Sequence, residues 1–338
     1  MEKAAVVLLN YNGIEYLGKF LPNVIRFSDG YGIYLIDNAS TDDSIGWVKK
    51  HYPQVKIIVL DQNHGFSGGY NLGLRQVEAE YYILLNTDVA VTAGWIDPVL
   101  SLMDSNKKIA ACQPKILSYH QPGYFEYAGA AGGYIDSFGY PFCRGRIFEH
   151  LEEDTGQYND TRPIFWASGA CFFVRSKLFF NAGGFDYDFF AHMEEIDLCW
   201  RLKNEGYEIY YCSQSQVFHV GGGTLSGSNP YKTYLNFRNN LTMLYKNSFF
   251  FQFLWKYPIK LTLDCLAALR ELLKQRYQVF FAIVRAHGHF WILYRKKKMK
   301  SFTTKSILKG FKVEGVFKGS IVLEYFLKNN KTFGTLKF

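Results

Sequence analysis

Residues 81–85 (YYILL), followed at once by Asn86-Thr87-Asp88, constrain this chain more than any other stretch. An unbroken apolar run of that length suits a strand buried on both faces. A carboxylate delivered at the end of such a strand is unfavourable unless it is paired or binds a metal. In open α/β sheets, ligands sit in the crevice at the carboxyl ends of the strands. Asp88 therefore stands where a divalent cation and a phosphate-bearing ligand would be held. The alternative is that Asp88 caps a following turn or helix.

The surrounding pattern supplies the rest of such a sheet. Residues 4–9, 31–36 and 55–60 read as strands, each broken by a polar loop and separated by helical stretches such as 14–27. Strand alternating with helix implies a parallel sheet with right-handed crossovers. Asp37, at the second strand end, could bond a base or a ribose hydroxyl. Gly65, Gly68 and Gly69 would let backbone approach a ligand, with a helix N-terminus favouring its negative charge. They could equally make only a tight turn. No G-x-G-x-x-G follows the first strand and no Gly-Lys-Ser/Thr follows the glycines, so neither a dinucleotide nor a Walker site is expected.

Further along, a helix is expected over 93–104 and strands over 109–117, 171–175, 207–212 and 216–218, while 118–165 reads as hairpins or a long covering loop. The segment from His192 to Leu202 should be helical. Glu194, Glu195 and Asp197 at its start suit the helix dipole, and Asp197 could pair with Arg201 one turn on. His219 precedes Gly221-Gly222-Gly223, so it should face a flexible loop, as a metal ligand or a polar strand terminator. Arg238, on a helix over 231–245, could hold a diphosphate or pair with an acid.

Charge divides the chain. Residues 241–338 carry 19 Lys+Arg against 4 Asp+Glu, although the whole chain is only +8. From 249 to 294 the period is helical and aromatic, but basic residues interrupt it, so no stretch approaches the ~18–20 apolar residues of a spanning helix. A basic knot at 295–300 follows. Such cationic, aromatic, amphipathic helices suit a membrane interface. The alternative is a helical pair packed on the α/β part with a solvated basic face. No nucleic-acid motif accompanies the charge, so nucleic acid is not an expected partner. The six cysteines form no C-x-x-C pair, a reduced, cytosolic pattern. The apolar run before Asn10 is too short for a secretory signal, so none is expected.

In this order and spacing, VVLLNYNG (6–13), IDNASTDDS (36–44), NHGFSGGYNLG (63–73), LLNTDV (84–89) and GGFDYDFFAHMEEIDLCWR (183–201) resemble the inverting nucleotide-sugar glycosyltransferases of family 2, especially the bacterial rhamnosyltransferase-like branch. HVGGGT (219–224) and the Arg238-Asn239 helix fit as well. The resemblance covers about residues 1–245. It implies an α/β GT-A fold with a Rossmann-like, mostly parallel sheet: a nucleotide-sugar half over about 1–105, an acceptor half over about 106–245, and C-terminal amphipathic helices over 246–338. It implies donor contacts from Asn10, Asn12, Asp37, Asn63, Gly65, Asn71, Asn86, Asp88 and Arg238. Asp88, assisted by His219, would hold Mg2+ or Mn2+. Asn86 stands where many members have Asp. Glu195 would be the general base, with Asp197 or Glu194 as substitutes, and Trp166, Ser168 and Gly169 would line the acceptor side.

The implied reaction is transfer of a sugar from a nucleotide-diphosphate sugar, first dTDP-rhamnose and next a UDP-hexose or UDP-hexosamine, to a hydroxyl of a glycan or lipid-linked acceptor in bacterial surface polysaccharide synthesis. The implied location is the cytoplasm, peripheral on the inner face of the cell membrane, with homodimerisation left open. Two other readings compete. A sugar-phosphate nucleotidyltransferase would need a Gly-rich basic loop after the first strand, where Asn10-Tyr11-Asn12-Gly13 stands. A non-catalytic nucleotide-sugar or membrane binder is disfavoured by the intact Asp88, Glu195 and His219.

Overall fold

The computed structural model describes residues 1–221, 229–297 (side chains to residue 294) and 313–338. Gly222, Gly223, Thr224 and the basic knot at 295–300 lie outside the described residues or side chains.

β1 (Glu2–Asn10), α1 (Ile14–Phe27), β2 (Gly32–Asp37), α2 (Ser44–His51), β3 (Lys56–Val59), α3 (Gly65–Gly73) and β4 (Ala79–Leu85) alternate as expected. β1 pairs in parallel with both β2 and β4, and β3 adds to β2. Side-chain alternation along β1 shows why the sheet needs two covers. Ala4, Val6 and Leu8 pack with Leu17, Leu21 and Val24 of α1, while Ala5 and Val7 pack with Tyr70 and Leu74 on the other face.

Past β4 the sheet becomes mixed. β5 (Val89–Val91) and α4 (Asp97–Ser105) lead to β6 (Ile109–Ser118). The helix expected over 93–104 starts later because residues 89–91 are drawn into a strand and Gly94 turns the chain with a φ of +69°. β7 (Gly133–Asp136), β8 (Pro141–Cys143), β9 (Arg146–Ile147) and β10 (His150–Leu151) form a second, antiparallel sheet. β11 (Arg162–Ile164), β12 (Cys171–Arg175), α5 (Ser176–Asn181), α6 (Glu194–Asn204) and β13 (Glu208–His219) complete the large sheet and its cover. β12 runs antiparallel between β4 and β6, and β13 lies parallel to β6. The two strands expected over 207–212 and 216–218 are one, because a register shift between Cys212 and Gln216 absorbs the extra residues.

α7 (Pro230–Asn247), α8 (Phe250–Leu273) and α9 (Tyr277–Lys297) form the helical layer. Leu241 and Leu244 of α7 pack with Phe253 of α8 and Phe290 of α9. Among the described residues, no helix is long and apolar enough to cross a membrane. β14 (Val316–Phe317) and α10 (Ile321–Phe326) then return to the second sheet. β14 pairs with β7, Ile321 N–H donates to Asp136 Oδ2 at 3.0 Å, and Phe333 and Leu336 enter the main core. Residues 313–338 thus pack on the second sheet and the main core, and the division expected at 245/246 does not separate them from residues 1–245.

Candidate active site

The β5–β13 pairing builds the first part of the site. It sets His219 opposite Val89, and Val220 N–H donates to the Asp88 carbonyl at 3.1 Å. Two side chains 131 residues apart therefore meet at one sheet end: His219 Nε2 lies 3.1 Å from Asp88 Oδ1. On the other side of the ring, Nδ1 lies 3.2 Å from Glu126 Oε2, without the alignment of a hydrogen bond. The histidine is 6% exposed, and the glycine-rich loop it was expected to face lies beyond Gly221, outside the described residues. Burial opposes its protonation, but the Glu126 charge and the Asp88 contact prevail and push it up to about 10.

The Asp88–His219 pair fits a divalent cation. With ligand–metal distances of about 2.1 Å, two adjacent ligands lie roughly 3 Å apart. Among the described residues, no set of three or more His, Cys, Asp or Glu is arranged as a metal cage. Two protein ligands are sufficient where water and substrate phosphates supply the others.

The second part is the start of α6. Asn86 N–H donates to Ala170 O at 3.0 Å, which ties the Asp88 loop to the 166–170 segment. A Cβ on Gly169 would sit 3.4 Å from the Phe66 ring and 3.9 Å from the Glu195 carboxyl carbon, so Glu195 reaches this same segment. Glu195 is part-exposed as a residue, yet its Oε2 is shut from solvent without a hydrogen-bond partner. Desolvation of the carboxyl pushes Glu195 up to about 7, against bonds from backbone N–H groups that favour the charged form. Glu194 is buried, with its Oε2 also unpartnered. Desolvation, then repulsion from Glu195, drives it well above the usual carboxylate range. A carboxylate whose pKa is raised to near neutrality is suited to general base chemistry.

Asp197 departs from its expected role as a substitute base. Its Oδ2 accepts from Arg201 Nε at 2.7 Å and its Oδ1 from Asn247 Nδ2 at 2.7 Å. Arg201 also donates to the carbonyls of Ala182 and Gly184. Asp197 is a fully buried clamp between α6, α7 and the 182–184 turn, with no oxygen left for a substrate proton.

The expected donor residues fall into two groups. At the β1 and β2 ends, Asn10 Nδ2 donates to Asp37 Oδ1 at 3.0 Å and to the Ser44 hydroxyl at 2.8 Å, while Asp37 Oδ2 accepts from Ser40 N–H at 3.0 Å. Asn12 Oδ1 accepts from Thr41 N–H at 2.7 Å, and Asn63 Oδ1 from Asn38 Nδ2 at 3.0 Å. These residues shape the loops at the sheet's carboxyl edge. The others act across the two halves. Asn71 makes a reciprocal pair with the Phe185 backbone, at 2.7 and 2.9 Å. The α3 amides of Phe66 and Ser67, offered by sequence to a ligand anion, donate to Phe190 O instead, and Gly65 lies under the Phe190 ring. Arg238, expected at a diphosphate, donates to Asp188 O at 2.7 Å and to Asn239 Oδ1. Asn239 in turn donates to the carbonyls of Phe189, Ala191 and His192. Together they brace a loop in which Phe190, His192 and Met193 all adopt positive φ.

On the acceptor side, Trp166 is buried against Gly133 with its indole N–H on Tyr134 O at 2.9 Å, and Ser168 is buried with its hydroxyl on Ala128 O at 2.6 Å. Both are interior supports; of the three residues expected there, only Gly169 borders Glu195. Glu126 was not singled out by sequence, because it sits in the Gly/Tyr-rich stretch where no periodicity marks a role.

A parallel β3–β2–β1–β4 core extended by a mixed half, with its acidic residues at the strand ends, is the GT-A arrangement. The mannosyltransferase PcManGT from Pyrobaculum calidifontis, solved with GDP-Man and Mn2+, superposes with a TM-score of 0.54 at 12% identity over 87% of this chain and 88% of that one. GalNAc-T7, solved with UDP, GalNAc and Mn2+, gives 0.55 at 16% identity over 72% of this chain, which spans about half (48%) of that structure. The fold is GT-A. The family model for Glycosyl transferase family 2 matches residues 5–180, more than half of the 338 residues, and the chain belongs to that family. The N-acetylglucosaminyl-diphospho-decaprenol L-rhamnosyltransferase of Mycobacterium tuberculosis is 26% identical over 295 residues, covering 80% of this chain and 92% of that protein. The chain is a glycosyltransferase, similar in sequence to rhamnosyltransferases.

Proposed function

We propose that this glycosyltransferase catalyses metal-dependent, inverting transfer of a sugar from a nucleoside-diphosphate sugar to a hydroxyl of a lipid-linked glycan. The observation that carries the reading is the desolvated Glu195 carboxyl, whose Oε2 has no hydrogen-bond partner, at the segment that also anchors the Asp88–His219 loop. Glu195 takes the acceptor hydroxyl proton as the acceptor oxygen bonds to the sugar's anomeric carbon. The bond from that carbon to the diphosphate breaks on the opposite face, so configuration inverts without an enzyme nucleophile. Asp88 and His219 would hold Mg2+ or Mn2+, which when bound neutralises charge on the departing diphosphate.

The donor reading, dTDP-rhamnose before UDP-hexose or UDP-hexosamine, is supported by the name of the mycobacterial relative. The same name supports a lipid diphosphate as the acceptor's carrier. Association with the inner face of the membrane is supported by α8. Phe251, Trp255, Ile259, Leu266, Leu269 and Leu273 are exposed along it at steps of three, four and seven, with Phe251 and Leu273 at 80% and 85%. That spacing makes one apolar stripe, with basic Lys274 and Arg276 at its end.

The test is thermal unfolding with dTDP, UDP, GDP and CMP, each with and without Mn2+. A true ligand at ~100 times its Kd adds about 2.7 kcal/mol, a shift of a few degrees. A Mn2+-dependent shift with dTDP or UDP, lost in Asp88→Ala, is expected. No Mn2+-dependent shift with any nucleotide would overturn the donor site as drawn.

A further inference from the structure

We infer that Glu126 is a positioning residue for the metal site: it holds the His219 ring so that Nε2, not Nδ1, faces Asp88 and the cation. The inference rests on the metal reading above and goes beyond it by adding a residue outside every sequence motif. Three observations carry it. His219 lies between two carboxylates, with Nε2 at 3.1 Å from Asp88 Oδ1 and Nδ1 at 3.2 Å from Glu126 Oε2. An imidazole ligates through one nitrogen, and the partner of the other fixes the ring's tautomer and orientation. Glu126 is itself held, since it is 5% exposed and its Oε2 accepts from Ala128 N–H two residues on. The chain that follows His219 is fitted to it as well: Gly221 has a φ of +72°, and a Cβ there would come within 2.7 Å of Glu126 Oε1. A side chain at 221 would push either Glu126 or the end of β13 out of place, so the glycine, the carboxylate and the histidine form one interlocked unit.

Asp88 Oδ1 and His219 Nε2 would be the atoms that hold the cation. Glu126 faces Nδ1, and its role is to remove the ring's freedom to rotate or to present Nδ1 instead. Loss of such an outer carboxylate lowers metal affinity 10- to 100-fold in other metal sites.

The test is Mn2+ affinity of the full chain, read by electron paramagnetic resonance of free Mn2+ in the presence of dTDP or UDP. Glu126→Ala should weaken Mn2+ binding 10- to 100-fold. Glu126→Gln, which keeps an oxygen acceptor for Ala128 N–H and for Nδ1–H, should weaken it less. Far-UV circular dichroism checks that both variants are folded, and the Gln variant decides the matter if the Ala variant is not. Wild-type affinity in a folded Glu126→Ala variant, or equal losses in Ala and Gln, would overturn the inference alone. A wild-type protein that binds no Mn2+ with any nucleotide would overturn the metal reading and this inference with it.

Discussion

At the scale of single residues, the acidic start of α6 separates into two chemistries. Glu195 is a base candidate because nothing neutralises it, whereas Asp197 is a strut because Arg201 and Asn247 do. Glu195→Gln should lower turnover by roughly 10²- to 10⁴-fold while leaving nucleotide binding intact. Wild-type turnover in that variant would sink the base assignment. With its carboxyl raised from 4.5 to about 7, wild-type activity should climb as pH rises through about 7. The stability effect has the opposite sign. Below pH 4.5 the group is protonated in both folded and unfolded chains; as pH rises through about 7 the folded protein must ionise a desolvated carboxyl, and stability falls. Glu195→Gln should therefore be more stable than wild type at pH 8, by on the order of 2 kcal/mol once partial exposure is allowed for. Asp197→Ala has a different signature, since it leaves the Arg201 cation buried. Unfolding should become easier by about 3–5 kcal/mol, seen as a lower midpoint in urea. An unchanged midpoint would show that the clamp is not stabilising.

At the scale of elements, the large sheet and the helical layer differ in how sequence marks them. β1, β2 and β4 are buried over most of their length, so each reads as an apolar run with a polar loop at its end, whereas β3 at the sheet edge exposes Lys56 and Val59. α8 divides between residues packed on α7, α9 and Tyr140, such as Phe253, Lys260 and Asp264, and an exposed apolar stripe. Phe251→Glu with Leu266→Glu interrupts the exposed stripe at two of its exposed positions. The double variant should lose binding to anionic vesicles in a sedimentation assay while keeping turnover on a short, lipid-free acceptor. Equal sedimentation of variant and wild type would remove α8 as the membrane contact.

At the scale of the whole molecule, the last segment closes over the second sheet. Phe317, Ile321, Phe333 and Leu336 are buried with the second sheet, and each buried side chain of this size contributes about 1.5–3 kcal/mol. Deleting residues 313–338 should lower the thermal midpoint by many degrees, and an unaltered midpoint would contradict the packing described. A truncation near 247 would remove this segment together with α8 and α9. It would thus mix a membrane effect with a folding defect, which the α8 point variants avoid.

The local features were legible in the sequence, because each was encoded by neighbours along the chain: the doubly buried strands, the strand-end loops with Asp37 and Asp88, the acidic first turn of α6, and the basic and aromatic C-terminal helices. The family resemblance followed from the order of those pieces. What required the tertiary structure was every decision that depends on distant partners. Arg201 and Asn247 remove Asp197 from the chemistry, Asp188 O and Asn239 occupy Arg238, and Phe190 O covers the α3 amides. Glu126 reaches His219 because the chain after β6 folds back on it, with Glu126 N–H on Ile116 O, and β13 lies beside β6. A residue's type and spacing set what chemistry it can do, but the charge or hydrogen-bond partner brought to it by the fold decides whether that capacity remains free for a substrate.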